Sequence, residues 1–133
     1  MIPEKQLLDD ALLSMQAYLT SALPEIKLLS DKFYLGSSSE SWNKLSELLE
    51  GLMWISQTIG HIREMAIYQN LEAFEETAAT ISQLVINLEQ ALTNNDLILI
   101  GDILKYEISS ILGQLLSNAT LTINNEVVRH DLS

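Results

Sequence analysis

The stretch LEAFEETAATISQLVINLEQAL, residues 71–92, decides the fold. Its apolar side chains recur at alternating steps of three and four residues, which is the pattern of a helix that buries one face. The apolar positions are Leu71, Phe74, Ala78, Ile81, Val85, Leu88 and Leu92. A period close to 3.5 residues is typical of helices that pack side by side at a shallow angle. This stretch therefore predicts one helix of a helical bundle.

Three further stretches carry the same apolar pattern. They span residues 8–33, 45–66 and 97–115. The segments that join the four stretches are short, and short connections place consecutive helices side by side and antiparallel. We therefore predict an all-α, up-down-up-down antiparallel four-helix bundle over residues 1–119. The helical period is lost after that, so residues 120–133 are predicted to be a poorly ordered C-terminal tail.

Pro24 falls inside the first stretch. A proline within a helix removes one backbone hydrogen bond and clashes with the preceding turn. The apolar register nevertheless continues on both sides of it. We therefore predict one long helix over about residues 4–35, kinked near Thr20 to Pro24, with two separate helices as the alternative. Gly36 is predicted to end it, because glycine adopts the left-handed conformation that closes a helix.

The composition is that of a single folded domain. The chain has 133 residues, of which 47% are hydrophobic and 19% charged, and this argues against wholesale disorder. It has no cysteine, which excludes disulfides and thiolate metal sites. The first residues, MIPEKQLLDD, lack the basic start and apolar run of a signal peptide, and no stretch reaches the roughly 18 uninterrupted apolar residues of a membrane span. We expect a soluble, cytoplasmic protein.

The charge balance is strongly acidic. The formal net charge is −11 at pH 7. Phosphate backbones and anionic membrane surfaces repel such a charge, so we expect neither nucleic acid nor a membrane as a partner. The simplest explanation is that the acidic residues keep a small protein soluble. The alternative is that they face a protein partner with a basic surface.

Patterns typical of catalytic and metal sites are missing from the sequence. Two-metal carboxylate bundles need Glu-x-x-His pairs, whereas neither His61 nor His130 follows a glutamate by three residues. His61 and Glu64 stand one turn apart, but a lone pair lacks the three or four ligands of a stable metal site. There is no Gly-x-Ser-x-Gly motif and no glycine-rich phosphate loop. We expect no metal and no cofactor.

A candidate polar site lies in the fourth stretch. Asp102 and Tyr106 are four residues apart, which places them on one side of a helix. Glu107 stands between Leu104 and Ile111 at helical spacing, so it is predicted to border the core. These three residues indicate either a site for a ligand or a reaction, or local pairing at the edge of the bundle.

A candidate partner surface is the second feature outside the core pattern. Trp54, His61 and Tyr68 are spaced by seven residues and fall on a different helix face from the apolar stripe. Ile98 and Leu99 make the first turn of the fourth helix apolar all round. Tryptophan and tyrosine often carry binding energy at interfaces. The alternative is that Trp54 is covered by the tail or by a neighbouring helix. The apolar turn at Ile98 and Leu99 must be covered by the kinked first helix, by the tail or by a second subunit.

The segment NDLILIGDILKYE, residues 95–107, resembles a segment of small uncharacterised helical proteins of bacteria, a domain of unknown function. In that pattern an acidic residue usually precedes the Tyr-Glu pair, and Lys105 stands there in this chain. The resemblance implies a cytoplasmic bacterial helical protein. It directs attention to Asp96, Asp102, Tyr106 and Glu107 without supplying a role for any of them.

The sequence as a whole favours a non-enzymatic protein–protein interaction module, an adaptor, chaperone or assembly factor that acts through helix surfaces. Homodimerisation through the second or fourth helix fits this hypothesis. The alternative is a small-ligand-binding or enzymatic bundle with a polar site between helices near Glu107 and the Asp102–Tyr106 pair.

Overall fold

Four helices make up the part of the chain that the structure describes. The computed structural model describes residues 4–69 and 71–127, and it contains no strand in that part of the chain. The elements are α1 (Glu4–Tyr34), α2 (Ser39–Met65), α3 (Leu71–Thr93), α4 (Leu97–Asp102), a π-helical segment (Ile103–Ile108) and α5 (Ser109–Glu126). The last three follow one another without a break, and we call them together the C-terminal helix, residues 97–126. The all-α prediction is confirmed.

The first helix runs through Pro24 as one element. Pro24 is exposed, so water reaches the carbonyl group that has lost its N–H partner. The alternative of two separate helices is therefore wrong, while the kink near Thr20 to Pro24 stays a prediction. Gly36 follows the end of α1 with a φ of +106°, a conformation that side-chain-bearing residues rarely adopt.

The helices contact one another in a ring. α1 packs against α2 and the C-terminal helix, and α3 packs against the same two neighbours. In residues 4–69 and 71–127, no close backbone approach joins α1 to α3 or α2 to the C-terminal helix. All four apolar stripes therefore face one shared core. Its fully buried side chains include Leu12, Met15, Leu19, Leu52, Ile55, Ile62, Ile81, Leu88, Leu104, Leu112 and Leu115.

The C-terminal helix continues beyond the predicted end of the bundle. Helix α5 runs to Glu126, Thr122 and Ile123 are buried, and Val127 packs against the core. The prediction of a poorly ordered tail from residue 120 is therefore wrong as far as Glu126. β-Branched residues weaken a helix only slightly, and the burial of their side chains outweighs that cost. Residues 128–133 lie outside the described residues.

The Thr122 hydroxyl supplies a test of this packing. Its Oγ1 is buried without a hydrogen-bond partner in the described part of the chain. Thr122→Val keeps the branched shape and removes the unsatisfied group, so it should raise the free energy of unfolding by about 1 kcal/mol. The control is Thr120→Val, because the Thr120 hydroxyl accepts a hydrogen bond from Gln16 Nε2 at 3.2 Å. Urea unfolding of both variants measures the difference, and equal effects would contradict the prediction.

None of the helices in the described part of the chain combines the length and the apolar character that crossing a bilayer requires.

Candidate functional site

A tyrosine–aspartate hydrogen bond joins α1 to the C-terminal helix. The Tyr34 hydroxyl, in the last residue of α1, donates to Asp102 Oδ1 at 2.5 Å. The Tyr34 ring crosses directly over Gly101, where an added Cβ would stand 2.7 Å from the ring atom Cε1. Glycine at position 101 therefore allows the ring to lie close enough to reach Asp102.

The π-helical segment begins directly after Asp102. The backbone N–H and the hydroxyl of Ser109 both donate to the carbonyl oxygen of Leu104, five residues earlier. This spacing defines a turn that is wider than that of an α-helix. Such wide turns are frequent at functional sites, so the segment marks this part of the helix for attention.

The apolar pattern explains why the turn widens. Buried side chains stand at Ile100, Leu104, Ile108 and Leu112, three successive steps of four residues. Four residues of an α-helix overshoot a full turn by about 40°, so three such steps would move the stripe by about 120° around the helix. A wider turn offsets this drift and keeps all four side chains in the core.

The predicted polar site is not one cluster. Glu107 is exposed and does not border the core, because the wide turn directs residues 105–107 to the outside. Tyr106 is 62% exposed. The hydrogen-bond partner of Asp102 is Tyr34, on another helix, and not Tyr106. The structure keeps Asp102 in a defined interaction but separates it from Glu107.

Lys105 stands between two aromatic rings. Its Nζ lies 5.9 Å from the centre of the Tyr34 ring and 5.3 Å from that of Tyr106, both within the range of cation–π attraction. Beside it, a groove of about 600 Å³ runs between α1 and the C-terminal helix. We call it the lysine groove. It is lined by Leu23, Pro24, Lys27, Lys105, Tyr106, Ser109, Ser110 and Gly113.

A buried carboxylate occupies the other end of the molecule. Asp9 is 1% exposed and accepts hydrogen bonds from Lys5 Nζ at 2.8 Å and from the Tyr68 hydroxyl at 2.6 Å. Lys5 Nζ also donates to the Glu126 carbonyl oxygen at 2.9 Å, and the Gln69 N–H donates to Glu126 Oε2 at 3.1 Å. Burial, and then the bond to Asp9, raise the pKa of Tyr68. The cluster ties α1 to the α2–α3 connection and to the end of the C-terminal helix.

The predicted partner surface on α2 is only partly present. Tyr68 is 3% exposed and lies beyond Met65, where α2 ends, so its assignment to an exposed face is wrong. Trp54 is 36% exposed and packs edge-on against Tyr18, with ring centres 6.2 Å apart. His61 is exposed, with Nδ1 at 4.0 Å from Glu64 Oε2.

The predicted residues at the start of the C-terminal helix are at the surface. Ile98 is 64% exposed and Leu99 is 42% exposed. Asp96 precedes them as the helix cap and accepts a hydrogen bond from the Leu99 N–H at 3.1 Å. Among residues 4–69 and 71–127, no group of three or more histidine or acidic side chains is placed to hold a metal ion.

Comparison with known protein families assigns the sequence to one of them. The model of a domain of unknown function, DUF8042, matches residues 10–118, which is most of the chain. The chain belongs to the DUF8042 family. The prediction of a helical protein with a domain of unknown function, made from the resemblance of residues 95–107, is thereby confirmed. No curated protein and no solved structure matches the chain.

The sequence of this DUF8042 protein does not single out two of the residues that the structure brings to the site. Tyr34 meets Asp102, and Lys27 lies across the groove from the C-terminal helix, only because of how the helices are placed. Lys27 and Tyr34 each come directly after a buried residue of α1 and lie at the edge of its apolar stripe. A polar or aromatic residue on the flank of a stripe is common, so neither stood out before the fold was known.

The Tyr34–Asp102 pair makes a pH-dependent contribution to stability. The hydrogen bond to Asp102, and then burial, raise the pKa of Tyr34 from 10.0 to about 12. Below pH 10 the phenol is protonated in both the folded and the unfolded chain, so the stabilisation is complete. This stabilisation should be lost as the pH rises from 10 towards 12, because in that range the Tyr34 phenol ionises in the unfolded chain but stays protonated in the folded one.

Thermal unfolding across this range tests the contribution. The Tyr34→Phe variant should lose less stability than the parent between pH 10 and 12, while phenolate absorbance reports the ionisation. Parallel stability curves for parent and variant over that window would contradict the prediction.

Proposed function

We propose that this protein is a non-enzymatic, cytoplasmic protein-interaction module, an adaptor, chaperone or assembly factor. Its scaffold would be an antiparallel up-down-up-down bundle. The end of α1 meets the beginning of the C-terminal helix at Tyr34 and Asp102, and the start of α1 meets its end at Lys5 and Glu126. These two contacts support opposite directions for the two helices. Short connections between consecutive helices support the same arrangement for the rest.

The exposure of Ile98 and Leu99 carries the proposal. Two adjacent large apolar side chains face solvent on a helix whose first turn is capped by Asp96 and whose next turn is joined to α1 by Tyr34. Such residues on a rigid element lose little conformational freedom when a partner covers them. Contiguous exposed apolar patches mark protein–protein contacts, and these two neighbouring side chains would form part of such a patch.

We propose a second copy of this chain as the first partner of this surface. Trp54 and His61 on α2 form another exposed surface, which suits contact with a further protein. The net charge of −11 favours a basic surface on such a partner.

Light scattering over a dilution series tests the proposed self-association. The parent should dissociate on dilution, whereas a variant carrying Ile98→Ser and Leu99→Ser should be monomeric throughout. The control is Ile86→Ser on α3, which removes an isoleucine that is 47% exposed on another helix and should behave like the parent. A parent that is monomeric at every concentration would remove the homodimer.

Cross-linking separates the homodimer from the wider proposal. A photoreactive residue in place of Ile98, and another in place of Trp54, should capture a protein in the source cell. If neither position captures any protein, including a second copy, the interaction function is wrong.

A small-ligand-binding bundle is the second candidate function. The observation in its favour is the lysine groove, because about 600 Å³ falls within the range of known ligand sites. An enzymatic role has less support, because the Asp102 carboxylate is engaged by Tyr34 and Glu107 is exposed. Ligand titration of the groove distinguishes this candidate from the interaction module.

A further inference from the structure

The lysine groove differs in charge from four other grooves in the described part of the chain. The groove between α1 and α2 that contains Lys44 also contains Glu25 and Glu47. Three further grooves each include a glutamate. The lysine groove has two lysines and no carboxylate in its lining, although the chain has 18 acidic and only 7 basic residues. Its local charge is therefore opposite to that of the whole protein.

The two lysines of this groove are not neutralised by ion pairs. Lys5 pairs with Asp9, and Lys32 pairs with Glu40, at 2.8 and 3.3 Å. Within residues 4–69 and 71–127, neither Lys27 nor Lys105 has a carboxylate within ion-pair distance. Two acids stand close to Lys105 in sequence: Glu107 is exposed and is not within ion-pair distance of it, and Asp102 Oδ1 accepts a hydrogen bond from the Tyr34 hydroxyl. Two ammonium groups are thus available at one groove.

Apolar and hydroxyl groups complete the lining. Leu23, Pro24 and Gly113 offer an apolar floor, and Tyr106 and Ser110 add hydroxyl groups beside the lysines. Lys105 Nζ lies within cation–π range of the Tyr34 and Tyr106 rings, which favours side-chain conformations that keep it beside the groove. The lining therefore has both a cationic part and an apolar part.

We propose that the lysine groove binds a small amphiphilic anion, a molecule with an apolar body and one carboxylate or phosphate head. The head would lie between Lys27 and Lys105 and accept hydrogen bonds from the Tyr106 and Ser110 hydroxyls. The body would cover Leu23 and Pro24. The wide π-helical turn contributes by presenting Lys105 and Tyr106 at the groove. This site is separate from the Ile98–Leu99 surface, and the proposal does not depend on the interaction function.

Titration followed by NMR tests the proposal. The probes are octanoate, octyl phosphate and the uncharged octanol. Both anions should shift the amide signals of Lys27, Ser110 and Gly113 and should bind more tightly than octanol. Lys27→Gln and Lys105→Gln should each weaken binding of the anions about two- to fivefold, and the double variant about tenfold. Lys44→Gln, in the groove between α1 and α2, is the control and should have no effect.

Each result of the titrations either supports the anion site or overturns it. Tighter binding of octanoate or of octyl phosphate identifies the preferred head group, and either result supports the site. Equal affinity for octanol and the anions, shifts confined to another groove, or full affinity in the double variant would each overturn it. The absence of any binding would do the same. Because the substituted lysines are at the surface, the variants should fold, and circular dichroism verifies this.

Discussion

Leu104→Ala is expected to lower the free energy of unfolding by about 2–5 kcal/mol. Leu104 is fully buried and stands where the π-helical segment directs the apolar stripe back into the core. Removing its branched end deletes buried contacts and leaves a cavity that the helices around it fill only in part. A loss of this size is a large share of the stability of a small domain.

Chemical denaturation measures the loss against a matched control. Leu121→Ala makes the same change in the same helix at a side chain that is about half exposed, so it should change stability by no more than about 0.5 kcal/mol. If both variants lost equal stability, the core described for the C-terminal helix would be wrong.

Tyr68→Phe is expected to cost about 1.5–3 kcal/mol. The Tyr68 hydroxyl donates to Asp9 Oδ1 at 2.6 Å, and both side chains are buried. The variant keeps the ring and its packing but removes the hydrogen bond to a carboxylate that water reaches poorly. Hydrogen bonds to charged groups contribute more than neutral ones, and the oxygen left behind keeps its cost of desolvation.

A second substitution, at Asp9, shows whether the lost stability comes from the hydrogen bond between Tyr68 and Asp9. Asp9→Ala alone should also destabilise the fold, because it leaves the buried Tyr68 hydroxyl without its acceptor. The double variant should lose clearly less than the sum of the two single losses, since both remove the same hydrogen bond. Tyr106→Phe is the control, because its exposed hydroxyl is hydrated, and it should be near neutral. Additive losses would show that the hydrogen bond contributes little.

Much of the fold could be predicted from the sequence. The four stripes lie in one core, and α1 continues through Pro24. Each follows from the apolar period of a single helix, which is a local property of the chain.

The errors share one physical origin. A uniform α-helical period predicts Glu107 near the core, but the π-helical segment breaks that period. The spacing of seven residues predicts Tyr68 on α2, but that helix ends at Met65. The β-branched side chains of residues 120–126 favour a tail, but burial of Thr122 and Ile123 outweighs that preference. In each case contacts with another helix outweighed a local rule.

The sequence by itself determined that this DUF8042 chain forms four helices with one buried face each, because burial of a stripe depends only on spacing along one helix. The tertiary structure alone decided which flanking residues meet: Tyr34 with Asp102, Asp9 with Tyr68, and Lys27 with Lys105 across a groove. These contacts between helices depend on how far each helix is shifted and rotated against its neighbour. The packing of many side chains together sets that shift, so it cannot be predicted from any short segment of the sequence.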